Sequence, residues 1–300
     1  MNRAISYQEA TARERLQHLF DAGSFEEFLP PSARITSPHL PQLNAPVAFD
    51  DGVAIGRASL GGVPMYVAAQ EGAFMGGAVG EVHGAKLTGL LRKAVADKVA
   101  AVVLLVESGG VRLHEANAGL IAVSEVMRAL LDARDAGVAV IALVGGANGA
   151  FGGMGIVTRC ANMVVMSEEG RLAMSGPEVI ETANGVEEFD SRDRALVWRT
   201  SGGKHRYLMG DCQSIVADDI AAFRAAAREA VAALAGGVTG LTLEALESEQ
   251  KMLEARLNNY GGLHDPIDIW SAMRMPDAAN IPMLDVDSFV AASATRRQGA

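Results

Sequence analysis

The 300-residue chain has only two cysteines, Cys160 and Cys212, and neither stands in a CxxC or a Cys/His cluster. A disulfide framework and a zinc site are therefore not expected, and no metal is assigned; a reduced cytoplasmic setting is the expectation. Aromatic residues make up only 5% of the chain. No apolar run approaches the roughly 20 residues needed to span a bilayer, which argues against a membrane protein. The opening MNRAISYQEATARERLQ lacks an apolar h-region, so a secretory signal is not expected. Basic residues are in deficit, with a formal net charge of −10. That argues against non-specific nucleic-acid binding, which depends on an excess of Lys and Arg.

The chain is 49% hydrophobic, mostly Ala, Val, Leu and Ile, a composition suited to an α/β core. VPMYVAAQ at 63–70, AAVVLLV at 100–106, VAVIALV at 138–144 and NMVVMS at 162–167 read as strands. Between them, 85–99 and 113–134 place apolar residues at helical spacing, the second with Leu120, Val123, Met127 and Leu130 on one stripe. Strands without polar alternation, separated by helices, predict a mostly parallel sheet covered on both faces. Residues 4–20 read as a short surface helix, and the stretch from Pro30 to Pro46 as irregular chain. Helical patterns dominate at 190–200, 217–235 and 242–258.

Glycine is concentrated where strands end. GGANGAFGGMG at 145–155 has six glycines in eleven residues and follows a buried-strand run directly. Glycine loses the most conformational entropy on folding, so such density needs a local reason. A strand-to-helix turn stripped of side chains lets backbone N–H groups reach a ligand oxygen. ESGGVRL at 107–113 has the same setting, with Gly109 and Gly110 placed as Gly152 and Gly153 are. Two such turns at the carboxyl edge of neighbouring strands can hold one enolate or tetrahedral oxyanion. A phosphate cradle is the competing use, but neither turn fits the P-loop or the dinucleotide fingerprint.

A third cluster, GGAVGEVHGAK at 76–86, brings His83 and Lys86. Lys86 reads either as a solvated helix-start lysine or as a contact for a phosphate or pantetheine group. His83 reads as a hydrogen-bonding loop residue or a base. Arg112 either braces its loop or meets a substrate carboxylate, bracing being favoured. Glu107 is expected to cap its own loop and Glu115 to sit in the first turn of a helix. Pro177 in SGPEVIE opens a short helix. The run from Arg192 to Arg206 is the most basic stretch of an acidic chain and reads as a solvated face, with a patch for an acidic partner as the alternative.

LFDAGSFEEF at 19–28, FMGGAVGEVHGAKLTGLLRKA at 74–94, ESGGVRLHEA at 107–116, GGANGAFGGMG at 145–155 and SGPEVIE at 175–181 together resemble the N-terminal half of the biotin-type acyl-CoA carboxyltransferases, members of the crotonase-like superfamily. The resemblance spans 10–235, and the wording ESGGVRLHEANAGLIAVSEVMRALLDAR is similar to the β subunits of biotin-independent malonate decarboxylases. Bacterial carboxylase relatives carry a four-cysteine zinc ribbon that this chain lacks. The resemblance implies an α/β crotonase-like (ββα superhelix) carboxyltransferase domain over residues 1–300, with an N-terminal helix, a core of about 20–235 and a C-terminal helical extension of about 236–300. It implies a γ subunit as partner, an α subunit that swaps acetyl for malonyl, and an acyl-carrier protein bearing a phosphoribosyl-dephospho-CoA arm. No biotin and no covalently bound cofactor are expected on this chain. The reaction implied is decarboxylation of a malonyl-thioester to acetyl-thioester and carbon dioxide. Gly109, Gly110, Gly152 and Gly153 become the oxyanion donors, with Lys86, Arg112 and His83 as candidate substrate contacts. Two alternatives stand beside this: a carboxyltransferase that exchanges carboxylate with biotin, and a non-catalytic scaffold docking a carrier through 192–206.

Overall fold

The computed structural model describes residues 4–238 and 241–297. Among these residues, seven strands form one sheet in chain order. Helix α1 (Ala12–Leu19) comes first, closed by a capping box between Thr11 and Glu14. Then β1 (Glu26–Phe28), β2 (Val53–Leu60) and β3 (Val63–Gln70) pair antiparallel. From β3 onward every neighbour is parallel: β4 (Ala101–Val106), β5 (Ala139–Val144), β6 (Met163–Ser167) and β7 (Ser214–Val216). Helices α2 (Glu81–Asp97), α3 (Asn117–Asp135) and α4 (Gly152–Arg159) make the crossovers. Helices α5 (Pro177–Asn184), α6 (Arg194–Ser201) and α7 (Gly203–Leu208) lie between β6 and β7, and α8 (Ile220–Leu234) follows.

The two-residue period of a strand divides the core in two. Val102, Leu104 and Val106 of β4 join one apolar cluster with α2 and α3, while Ala101, Val103 and Leu105 join the other with α1 and α8. Both faces are thus covered, as the unbroken apolar runs require.

Several sequence expectations change. The N-terminal helix is shorter than 4–20 and is not a surface element: Arg15, Leu16 and Leu19 are buried. Strands β1 and β2 were not expected; VAIGRASL mixes Gly, Arg and Ser into its apolar pattern, and β1 has three residues. In α3 the buried stripe is Ala122, Val123, Val126, Ala129, Leu130 and Ala133, whereas Leu120 is 55% exposed.

Beyond 241 the chain adds α9 (Leu243–Tyr260), α10 (Pro266–Ala272) and α11 (Val286–Ser293). Trp270, Ile281 and Phe289 build a small separate core against Leu208 and Ile215. Helix α9 buries none of its residues. Among the described residues, no helix is long and apolar enough to cross a membrane.

Candidate active site

Strands β4 and β5 run parallel and in register, pairing Val106 with Val144, so the turns that follow them leave the sheet at one edge. Pairing continues into the turns. Ser108 bridges Ala150, the Ser108 N–H donates to the Gly149 carbonyl at 2.7 Å, and the Phe151 N–H donates to the Ser108 carbonyl at 2.9 Å. The two glycine turns therefore face each other. A Cβ on Gly152 would stand 3.2 Å from the Gly110 Cα, and both residues have positive φ, +56° and +130°. Only glycine accepts both the conformation and the approach.

The four expected donors differ in what their N–H groups meet. Gly109 donates to the Gly76 carbonyl at 2.8 Å and Gly152 to the Met174 carbonyl at 2.9 Å. Gly110 has a longer bond, 3.2 Å, to the Ser108 hydroxyl. Gly153 is the second residue of α4, in the first turn, where no carbonyl of the helix itself precedes it. Gly109 and Gly152 thus hold the turns in shape, and the N–H groups of Gly110 and Gly153 are those nearest to being free.

Beside the α4 N-terminus lies a 260 Å³ cavity lined by Phe151, Met174, Pro177, Ile180 and Phe189. Around the turns several apolar side chains face outward: Leu113 (83% exposed), Ile121 (62%) and Met174 (65%).

The three candidate substrate contacts form an inner layer beneath the turns. His83 is fully buried in the first turn of α2, not on a loop. Its Nε2 lies 3.0 Å from Gln70 Nε2 and its Nδ1 3.2 Å from the Asp51 carbonyl. Burial, reinforced by Arg112 and Lys86, pushes its pKa down to about 3, so the imidazole is neutral. Lys86 is not solvated: its ammonium donates to the Asp50 carbonyl at 2.9 Å and the Val53 carbonyl at 2.6 Å. Burial lowers its pKa. Arg112 does brace, donating to Asp51 at 2.9 Å and Glu115 at 2.7 Å.

Glu115 precedes α3 and serves another helix, accepting the Glu81 N–H at the start of α2 at 2.6 Å. Burial alone would raise its carboxyl, but this bond and Arg112 hold it below the usual range. Glu107 does not cap its own loop. Its carboxylate accepts the Asn148 N–H and side-chain amide from the other turn, and pairs with Arg15 of α1. Arg15, Gln70, Ser108 and Asn148 were absent from the sequence reading. The one signal available was a glutamate between an all-apolar strand and a glycine pair.

The basic stretch is mostly spoken for. Arg199 pairs with Asp265, Lys204 with Glu168, and Arg206 with Asp211. Arg192 and Arg194 are exposed and, with Arg171 and Trp198, line a 510 Å³ cavity. Among the described residues, no three His, Cys, Asp or Glu side chains converge as metal ligands.

A carboxyl transferase domain model matches residues 6–240. The chain is 47% identical over 233 residues to the malonyl-S-ACP:biotin-protein carboxyltransferase of Malonomonas rubra, covering 73% of each. A Pseudomonas malonate decarboxylase hetero-tetramer solved with malonate contains a chain 37% identical to this one. The match covers 90% of this chain and 97% of that one, with a TM-score of 0.79. A chain of the hetero-dimer of the Pseudomonas enzyme matches at 35% identity and a TM-score of 0.66, covering 83% and 96%.

Proposed function

The chain belongs to the carboxyl transferase domain family, and from that premise we propose that it is the β subunit of a malonate decarboxylase. With a γ subunit it decarboxylates a malonyl-thioester on an acyl-carrier protein; an α subunit exchanges acetyl for malonyl. The carrier presents its acyl group on a phosphoribosyl-dephospho-CoA arm, and no biotin is attached to this chain. The likeness to the malonate decarboxylase complexes supports this reading.

One observation carries the chemistry: Gly110 and Gly152 face each other at the carboxyl edge of β4 and β5. When the carboxylate leaves a malonyl-thioester as carbon dioxide, the electron pair of the broken C–C bond passes into the thioester carbonyl, giving an enolate. Protonation at carbon then gives the acetyl-thioester. The negative charge arrives on one oxygen, and the N–H groups of Gly110 and Gly153 are the donors for it. Fixed dipoles need no reorganisation as the charge appears, and one such donor contributes about 3 kcal/mol to the transition state. No side-chain nucleophile is required. Gly109 and Gly152 hold the turns through the Gly76 and Met174 carbonyls. His83, Lys86 and Arg112, engaged internally, support the site from below. The apolar rim at Leu113, Ile121 and Met174 is where the γ subunit closes over it.

The test is a malonate-dependent carbon dioxide assay on the complex reconstituted from all subunits, with and without avidin. Turnover insensitive to avidin is the expected result. The 47% identity to a biotin-protein carboxyltransferase favours a second reading, transfer of the carboxylate to a biotinylated carrier. Avidin-sensitive turnover would select that one.

A further inference from the structure

Glu107 belongs to both turns at once. Its backbone ends β4 and leads into Ser108, Gly109 and Gly110. Its Oε1 sits in the turn after β5, accepting the Asn148 N–H at 3.2 Å and the Asn148 Nδ2 at 3.1 Å. Its Oε2 accepts Arg15 Nη1, and both members of this pair are buried, at 5% and 1% exposure. Arg15 is anchored in its turn: Nε donates to the Tyr7 carbonyl at 2.8 Å, and the guanidinium lies 4.6 Å from the centre of the Tyr7 ring. The Glu107 N–H donates to Gln70 Oε1, and Gln70 meets His83, so the layer beneath the turns is continuous with this carboxylate.

A buried ion pair is a poor device for stability alone, because an apolar pair of equal volume stabilises a fold as well or better. Its distinctive property here is directional. Two bonds to one oxygen and a guanidinium on the other fix where the second turn stands relative to the first. We propose that Glu107, locked by Arg15 of the N-terminal helix, is the positioning residue that sets the distance between the two oxyanion turns. This rests on the oxyanion reading given above. Glu107 touches neither substrate nor reacting atoms; it acts through Asn148 and the backbone of Gly110. A displacement of about 1 Å at such a site costs on the order of 100-fold in rate.

The decisive variant is the full chain with Arg15→Met and Glu107→Leu together, assayed in the reconstituted complex. Removing both charges leaves no unpaired ion, but the Tyr7 and Gln8 carbonyls and the Asn148 N–H each lose a partner, so melting temperature and assembly are measured beside kcat. The expected result is a fall in kcat of about 100-fold with KM within about three-fold, since binding of the arm is untouched. Arg15→Met with Glu107→Gln keeps an acceptor for Asn148 and recovers at least about ten-fold of that loss. Asn148→Ala, which removes the Nδ2 bonds to Glu107 and to the Gly72 carbonyl but keeps the backbone N–H bond to Glu107, lowers kcat about ten-fold, and decides the matter if the double variant does not assemble. A kcat within two-fold of the parent in the assembled double variant, or no difference between the Leu and Gln versions, overturns the proposal. Gly153→Pro with Val123→Ala is run alongside. If that variant loses turnover while the Arg15/Glu107 variant keeps it, the positioning role alone falls. If both keep it, the oxyanion reading falls too.

Discussion

Helices α3 and α9 are of nearly equal length, 19 and 18 residues, and follow opposite rules. α3 turns its small residues inward, among them Gly119, Ala122, Ala129 and Ala133, and packs closely on β5 and against α2 beside it. α9 holds larger apolar residues, Leu243, Leu246, Leu253 and Leu257, yet all four are at least 43% exposed. Apart from Tyr260 at its end, which packs on the C-terminal core, its hold on the body is polar: Arg256 reaches Asp211 at 3.1 Å and Glu249 reaches Arg159 at 3.5 Å. Apolar content therefore does not predict burial here. What decides is whether a complementary surface of this chain stands opposite.

The sharpest difference should appear at the turn that α3 helps to pack. Gly153 is tight against Val123 of α3, since a Cβ there would meet a Val123 methyl at 2.6 Å. Proline in the first turn of a helix is tolerated, so Gly153→Pro, with Val123→Ala making room, deletes one N–H and little else. Turnover of the assembled complex should drop by about 100- to 1,000-fold with folding intact. Full activity in that variant would remove the turn from the chemistry.

In stability the core should dominate. Leu104→Ala in β4 empties space that both neighbouring strands and α2 enclose, and should cost about 2–5 kcal/mol by urea unfolding. Equal losses from Leu104→Ala and Leu253→Ala would erase the contrast drawn between the sheet and α9.

The next effect is a pH dependence. His83 and His205 are both buried, each with a pKa pushed down to about 3, chiefly by burial. The unfolded chain takes up their protons near pH 6.5 while the folded one refuses them. Their contribution is complete above pH 6.5 and is lost as pH falls from there towards about 3. Each costs about 1.4 kcal/mol per pH unit in that window. Carboxylates held low, such as Asp211 among Arg206, Arg159 and Arg256, act only below about pH 4. Urea midpoints between pH 6.5 and 4.5 read chiefly the histidines, with Glu169, whose carboxyl is raised by burial, working in the opposite sense. A flat profile there would mean that at least one of them accepts its proton without unfolding.

The smallest effect belongs to α9 itself. Leu253→Gln or Leu257→Gln should change the unfolding free energy of the isolated subunit by less than about 0.5 kcal/mol. A larger loss would show that this row packs on the chain's own body after all.

Much of the fold was legible in the sequence because the information was local. β4, β5 and β6 announced themselves as unbroken apolar runs of strand length, and the glycine turns as an entropic cost with no packing reason. β2 was not legible, since Arg57 and Ser59 interrupt its pattern and its identity comes from pairing with β3. Glu107, Arg112 and Glu115 had visible residue types but invisible partners. Arg15 lies 92 residues from Glu107, and Asp51 lies 61 from Arg112.

By itself the sequence determined a mostly parallel α/β sheet with two side-chain-free turns at strand ends, because strand period and glycine's permissiveness act within a few residues. Only the tertiary structure decided that these turns face one another. It also decided that Gly109 and Gly152 give their N–H groups to the protein, and that His83, Lys86 and the two terminal nitrogens of Arg112 are engaged by the protein beneath the site. Those outcomes depend on strand register and on buried charges finding partners far along the chain, and such long-range pairings leave no local pattern.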